Sequence, residues 1–253
     1  MWSRRQGGAR RCDVCIVLAG DHMQIIEQTG FGVRSAVLTL EKPGSAVRFV
    51  LLPMLHLGSP AFYRAVHRRL EDCDDVVVEG VRGRSAAVIT LAYRIGGRLR
   101  CGGLVDQGQG LDLADLKGRI IRPDLTAAQF AHGWRKVARR LRWLLLVAAP
   151  VFGLWLAVAG PQRALGRNLG LDDLPSREEE EMSEAMPGFD EAVLAVRDRA
   201  LCQELVRLTE EPDSGGTRTV GVCWGAAHMR AVIATLHTRL GYRIVGASWI
   251  TVF

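Results

Sequence analysis

Three side chains able to hold a metal or move a proton sit where an apolar run gives way to small residues: His56, Glu79 and His228. The clearest case is His228. Thr219–Trp224 is β-branched and apolar and reads as a buried strand, and Gly225-Ala226-Ala227 supplies a tight turn. From His228 onward Met229, Val232, Ile233, Leu236 and Leu240 recur at helical spacing. Handovers from strand to helix are where open α/β sheets place their ligands. His56 follows the apolar run Phe49–Leu55, and Glu79 closes Asp75–Val78. Two imidazoles and a carboxylate on neighbouring strand ends make a three-ligand set with open positions, suited to Mn, Fe or Co and, for hydrolysis, to Zn. Such a cation lowers the pKa of a bound water and polarises a carbonyl. Taken singly, a His at such a junction is more often structural; it is the shared placement that joins the three.

The elements that must position them follow from pattern. Val33–Leu40 and Ala46–Leu52 read as strands of a hairpin turned by Glu41–Ser45. A helix then starts at Ser59 as cap with Pro60 in its first turn and runs to about Asp72. Arg84–Arg94 and Gly102–Leu113 read as irregular helices. Arg122–Thr126 is a loop into a helix carrying Phe130, Trp134, Val137 and Leu141 on one face. Leu174–Phe189, with its run of glutamates, reads as a loop. Asp190–Leu208 is a helix with Val193, Val196, Leu201 and Leu205 inward; Arg197-Asp198-Arg199 lies at the edge of that stripe, usually a solvated position. Tyr242–Val252 closes the chain as one or two strands. The alternation implies an α/β fold (α+β being the alternative) with a central mixed β-sheet flanked by helices. The hairpin argues against an all-parallel sheet.

The chain has 253 residues and a formal charge of +6, with lysine only at 42, 117 and 136. Residues 1–20 read as a basic, disordered arm, and 21–253 as one domain. No nucleic-acid-binding module is present in the pattern, so that class is set aside. Six scattered cysteines, only Cys12 and Cys15 being closely paired, read as buried thiols of a reducing compartment. The uncharged stretch 143–160, WLLLVAAPVFGLWLAVAG, is an apolar helical insertion. A single crossing would part His56 and Glu79 from His228, so it reads instead as an interfacial or oligomer contact, broken into two short helices at Pro150 and Gly153. The expected location is cytoplasmic or peripheral to a membrane, with no clear cleavable signal peptide.

Phe49–Ser59 with its Leu55-His56-Leu57-Gly58, then a helix, then Val76-Val77-Val78-Glu79-Gly80, and later Gly225-Ala226-Ala227-His228, resembles the TraB/GumN/PrgY-type superfamily, related to the Tiki metalloproteases and to erythromycin-esterase-like and ChaN-like proteins. The likeness covers about residues 33–252. Arg197-Asp198 is similar to the family's Arg-containing helix motif, and Leu104–Gln107 and Arg122–Leu125 to its middle landmarks. The resemblance implies a divalent-metal-dependent, peptidase-like hydrolase, with His56, Glu79 and His228 on the metal. Glu79, Arg197 and Asp198 take catalytic roles: base or ligand, steadying of negative charge, and orientation of a His ring. Gln107, Asp124 and Gly225 are candidates for substrate contact or for support behind the ligands. The departure is Pro53 where the family's first glycine stands, which puts the first half of the site in doubt. The competing expectations are a non-catalytic protein of the same fold binding metal, haem or a signal peptide, and a membrane-associated regulator acting through 143–160.

Overall fold

A computed structural model describes residues 23–80, 103–159, 170–185, 188–212 and 215–253, with positions 91 and 95. The basic arm 1–20, the segment Arg84–Arg94 save position 91, and Cys12, Cys15 and Cys101 lie outside the described residues. Among those described, an eight-stranded mixed sheet is flanked by helices, an α/β fold.

One half of the sheet is parallel: β7 (Arg119–Ile121), β5 (Asp75–Val78), β9 (Arg218–Gly225) and β3 (Val47–Met54) lie side by side in that order. The other half is antiparallel. β2 (Gly32–Glu41) pairs with β3 through Leu38–Leu40, with β1 (Gln24–Thr29) through its first four residues, and with β10 (Arg243–Thr251) along Arg34–Glu41. A two-residue strand β8 (Leu171–Asp172) closes the edge on β1. All four residues of β5 are buried, as a parallel strand covered on both faces requires. The hairpin β2–β3 forms as the sequence pattern implies, and the closing strand is single.

Helix α1 (Pro60–Leu70) begins where the sequence says it should: the Ser59 hydroxyl accepts from the Phe62 N–H at 3.1 Å, and Pro60 occupies the first turn. It packs on one face of the sheet. A β-carbon on Gly221 of β9 would lie 2.9 Å from Cys73 Sγ and from Leu70 Cδ2, so the glycine lets the end of α1 sit directly on the strand. By strand alternation Val220, Val222 and Trp224 point to the other face. There α6 (Val196–Glu210), preceded by a π-helical turn at Glu191–Ala195, and α7 (Met229–Ala234) bury Leu201, Leu205, Met229 and Val232.

Four expectations are corrected. Gly102–Leu113 is not a helix where it is described but a two-residue strand β6 (Val105–Asp106), paired antiparallel with β4 (Leu57–Gly58), and one turn α2 (Gln107–Gly110); its glycines favour turns over helix. Leu174–Phe189 is not all loop, for α5 spans Arg177–Ala185. Ser176 and Glu179 cap it reciprocally, and Glu178–Glu180 complement the positive end of its dipole. The helix from Thr126 ends at Lys136 as α3 (Ala127–Lys136), so Leu141 belongs to the next one. That next helix, α4 (Arg139–Ala159), runs unbroken through Pro150. Proline there removes the bond to the Leu146 carbonyl, but Leu146 is exposed, so the freed acceptor is not shut away from solvent.

Because Gly221 has no room for a side chain, Gly221→Val is expected to destabilise the protein by about 2–3 kcal/mol through overpacking. A urea unfolding midpoint unchanged from wild type would contradict this packing.

Candidate functional site

The parallel half of the sheet sends four consecutive neighbours in one direction, and their carboxyl ends meet. β3 delivers His56, β5 delivers Glu79, β7 leads within three residues to Asp124, and β9 leads through Gly225 to His228. The register keeps these ends level: Met54 pairs with Gly225, and the Glu79 N–H donates to the Cys223 carbonyl at 3.3 Å. A fifth element supplies the centre. The first turn of α6 projects Arg197 and Asp198 over the ends of the strands.

Arg197 is buried, and its guanidinium joins the other groups. Its Nε and Nη2 donate to Asp124 Oδ1 and Oδ2 at 2.9 and 2.6 Å, a bidentate pair. Nη2 also donates to Glu79 Oε1 at 2.7 Å. Nη1 lies 3.3 Å from His228 Nε2. On its other nitrogen, His228 Nδ1 is 2.6 Å from Asp198 Oδ1. Arginine has only donors, so His228 Nε2 must accept; the ring proton then sits on Nδ1 and is given to Asp198. Trp224 fixes both partners from below, its ring edge-on to His228 at 6.0 Å and 5.8 Å from the Arg197 guanidinium carbon.

The carboxylates are held by backbone as well. Glu79 Oε2 accepts the Gly225 N–H at 2.8 Å, and a β-carbon on Gly225 would lie 2.9 Å from that oxygen. Gly225 is therefore small because Glu79 must approach its backbone. Asp124 accepts from the N–H groups of Gly80 and Leu125 at 3.0 and 2.8 Å. Burial opposes ionisation of both acids. For Glu79 the Arg197 charge, helped by His56 and His228, outweighs burial and holds the carboxyl below its ordinary range. For Asp124 the Arg197 bonds and charge do the same, with the Gly80 and Leu125 amides. Burial also disfavours the charged guanidinium, yet Asp124 and Glu79 push the Arg197 pKa upward on balance.

The structure thus brings Glu79, Arg197, Asp124, Asp198, Gly225 and His228 together. His56 stands beside them, close enough to act on the Glu79 charge, and its carbonyl accepts the Gln107 N–H at 3.0 Å. Gln107 itself opens the turn α2, and its link to the site is this backbone bond. Pro53 sits in β3 opposite Trp224, and its carbonyl accepts the buried Ser35 hydroxyl at 2.7 Å. The β3 strand continues to Met54 with proline in place, so the route to His56 is intact. The sequence pattern gives Asp124 a minor part and puts Arg197 at a solvated edge, the family resemblance alone giving Arg197 a catalytic role; neither signals from its neighbours that it is the partner of a group some seventy residues away.

The donor set does not fit a cation as it stands. Among the described residues no group of three or more His, Cys, Asp and Glu is arranged to hold a metal. The reason is local: the Arg197 guanidinium already bridges Glu79 and His228 and carries a positive charge into the space a cation would take. No protein-family model, curated protein or solved structure matches the chain.

Two outcomes follow from the buried charges. Glu79 and Asp124 titrate lower folded than unfolded, so their contribution to stability is complete above about pH 4, where unfolded carboxyls ionise, and drains away as pH falls toward the depressed native values. Unfolding free energy measured by urea titration should fall steeply below that pH in wild type, and less steeply in Asp124→Asn. Arg197→Met leaves both carboxylates buried without their counter-charge and is expected to cost about 3–5 kcal/mol at neutral pH. A loss of under about 1 kcal/mol would show that the cluster does not carry the fold.

Proposed function

We propose that this chain is a hydrolase of amide or peptide bonds, working at the strand ends through the His228–Asp198 pair. The observation that carries the reading is the 2.6 Å bond from His228 Nδ1 to Asp198, which turns the Nε2 lone pair inward, beside Glu79 and Arg197. The substrate class comes from the resemblance of the Glu79, Arg197-Asp198 and Gly225–His228 motifs to TraB/GumN-type and Tiki proteins.

The chemistry distributes naturally among the groups. His228 is the better base, because Glu79 is held ionised by a depressed pKa and so has little affinity for a proton. The 3.3 Å separation of Nε2 from Arg197 is longer than an ordinary hydrogen bond, so a water can compete for that lone pair. His228 takes the proton as water oxygen attacks the carbonyl carbon. Asp198 meets the charge that forms on the ring, and the same proton returns to the departing amine. Arg197 commits four of its five N–H groups to Asp124, Glu79 and His228 among the described residues. The fifth, on Nη1, is left to meet the negative oxygen of the intermediate.

A second reading keeps a divalent cation on His56, Glu79 and His228. One observation favours it: a carboxylate behind the distal nitrogen is the usual support of a metal-binding imidazole, and Asp198 provides it. It requires Arg197 to withdraw from Glu79 and His228. In either reading His56 and Gln107 border the site.

The test is cleavage of a peptide library by the full chain, with chelator and separately with Mn, Co or Zn. The proposal expects turnover that survives chelation and falls at least about a hundredfold in His228→Ala and in Asp198→Asn. Turnover that needs added metal, with one ion bound per chain by native mass spectrometry, would transfer the assignment to the cation reading. Tight binding of metal, haem or peptide without cleavage under any condition would end both and leave a binding protein.

A further inference from the structure

Helix α4 carries a stripe that the rest of the chain leaves uncovered. Trp143, Leu144, Val147, Val151, Leu154 and Trp155 are between 46% and 64% exposed, at spacings of three and four that place them on one face. The opposite face is in use: Leu141 and Leu145 pack on a small second core of Phe130, Trp134, Val137 and Val193. One side of the helix is thus bound to protein and the other faces outward, a one-sided pattern unlike that of a spanning segment. Among the described residues no helix is long and apolar enough to cross a membrane.

Charge decides what the free face suits. Arg135, Lys136, Arg139 and Arg140 are exposed at the amino end of the stripe, and none pairs with a carboxylate among the described residues. Arg140 lies one turn before Trp143 and Leu144 on the same face. A second copy of α4 would add more cations and no acid, for the helix contains no aspartate or glutamate. Anionic headgroups neutralise the arginines while the acyl boundary accepts the apolar stripe, and an exposed tryptophan near each end of it matches the polarity of that boundary. We propose that α4 lies in the surface of an anionic lipid bilayer, stripe inward, and holds the protein there reversibly. This inference does not rest on the hydrolase reading.

Flotation of the full chain with vesicles of phosphatidylcholine alone, and of phosphatidylcholine mixed with phosphatidylglycerol, tests it. The chain should float with the mixed vesicles, float much less with the neutral ones, and be released by added salt. The double variant Val147→Glu, Val151→Glu should lose binding. Arg139→Gln and Arg140→Gln, which leave the stripe untouched, should each weaken it about fivefold. Absence from the mixed vesicles, equal binding to neutral ones, binding indifferent to salt, or a glutamate variant that floats like wild type would each overturn the proposal. So would a dimer, seen by light scattering without lipid, that the glutamate pair converts to monomer: the occupant would then be a second copy.

Discussion

The guanidinium of Arg197 is the interaction on which the arrangement of this protein turns. A cation that far from water is sustained only where fixed negative groups and hydrogen-bond acceptors replace its hydration. Here Asp124 meets it edge to edge, Glu79 shares one of its nitrogens, and His228 accepts from the other. These partners come from β7, β5 and β9, so the strand ends cannot drift apart without stranding a charge. The small core of Phe130, Trp134, Val137 and Val193 adds the complementary constraint, since it fixes the approach of α3 to the π-helical turn just before Arg197. Apolar packing brings the arginine to its place and electrostatics gives that place its geometry.

The two ends of the parallel strands use charge differently. At their amino ends Arg119, Arg207 and Arg218 converge on Glu211, and Arg119 also reaches Asp75 at 2.7 Å. The three arginines pull the Glu211 carboxyl down to about 2, the bond from Arg119 being the largest influence. Arg119 and Arg207 are half-exposed, so their pairing with Glu211 is screened and adds little to stability, whereas the Asp75 end of the network is buried. A cleft of about 330 Å³ lies beside it, lined by Lys42, Ser45, Arg218 and Tyr242. Its polar groups are largely matched to one another: Ser45 with Tyr242, Arg218 with Glu211 and the Leu208 carbonyl. At the carboxyl ends the charges are enclosed, include an imidazole and, among the described residues, leave one guanidinium donor uncommitted. Parallel strands and right-handed connections concentrate loops at that end, so the chemical groups gather there and the amino ends are left to hold the sheet.

Much of the scaffold was legible in the sequence because it rests on local rules. The hairpin of β2 and β3 shows in β-branched alternation around Pro43-Gly44, the start of α1 in Ser59-Pro60, and the β9–α7 junction in the change from strand to helical period at Gly225–His228. That His228 and Glu79 each follow a strand comes from the same rules; that those strands, β9 and β5, are neighbours does not. What was not legible depends on distant pairing. Arg197 looks like a solvated charge because its neighbours along α6 cannot show that Asp124 and Glu79 wait above it. Asp124 looks like a turn residue because the short loop Arg122–Thr126 also satisfies turn chemistry. The helix α5 was hidden by a glutamate run that repels itself in isolation but is favoured by the dipole and by the Ser176 cap once begun. Pro150 misled in the opposite sense, since the one backbone bond it removes did not end a helix that keeps the others along 21 residues.

The cluster's charge balance also constrains any account of what it does. Two carboxylates, from Glu79 and Asp124, meet the guanidinium, and a third, from Asp198, meets the imidazole beside it. Asp124 is spent on the bidentate pair and on two backbone amides, so it serves position. Glu79 is shared between Arg197 and Gly225, which fixes both its oxygens yet leaves lone pairs on each. Among the described residues Asp198 makes its hydrogen bond to the imidazole and no ion pair with an arginine or lysine. A proton arriving on His228 Nε2 would therefore be met by a carboxylate already aligned with the ring. A cation on these residues would have to displace this arginine, for each would answer the negative charge at the strand ends, and the arrangement seen here answers it with the side chain that the fold itself supplies.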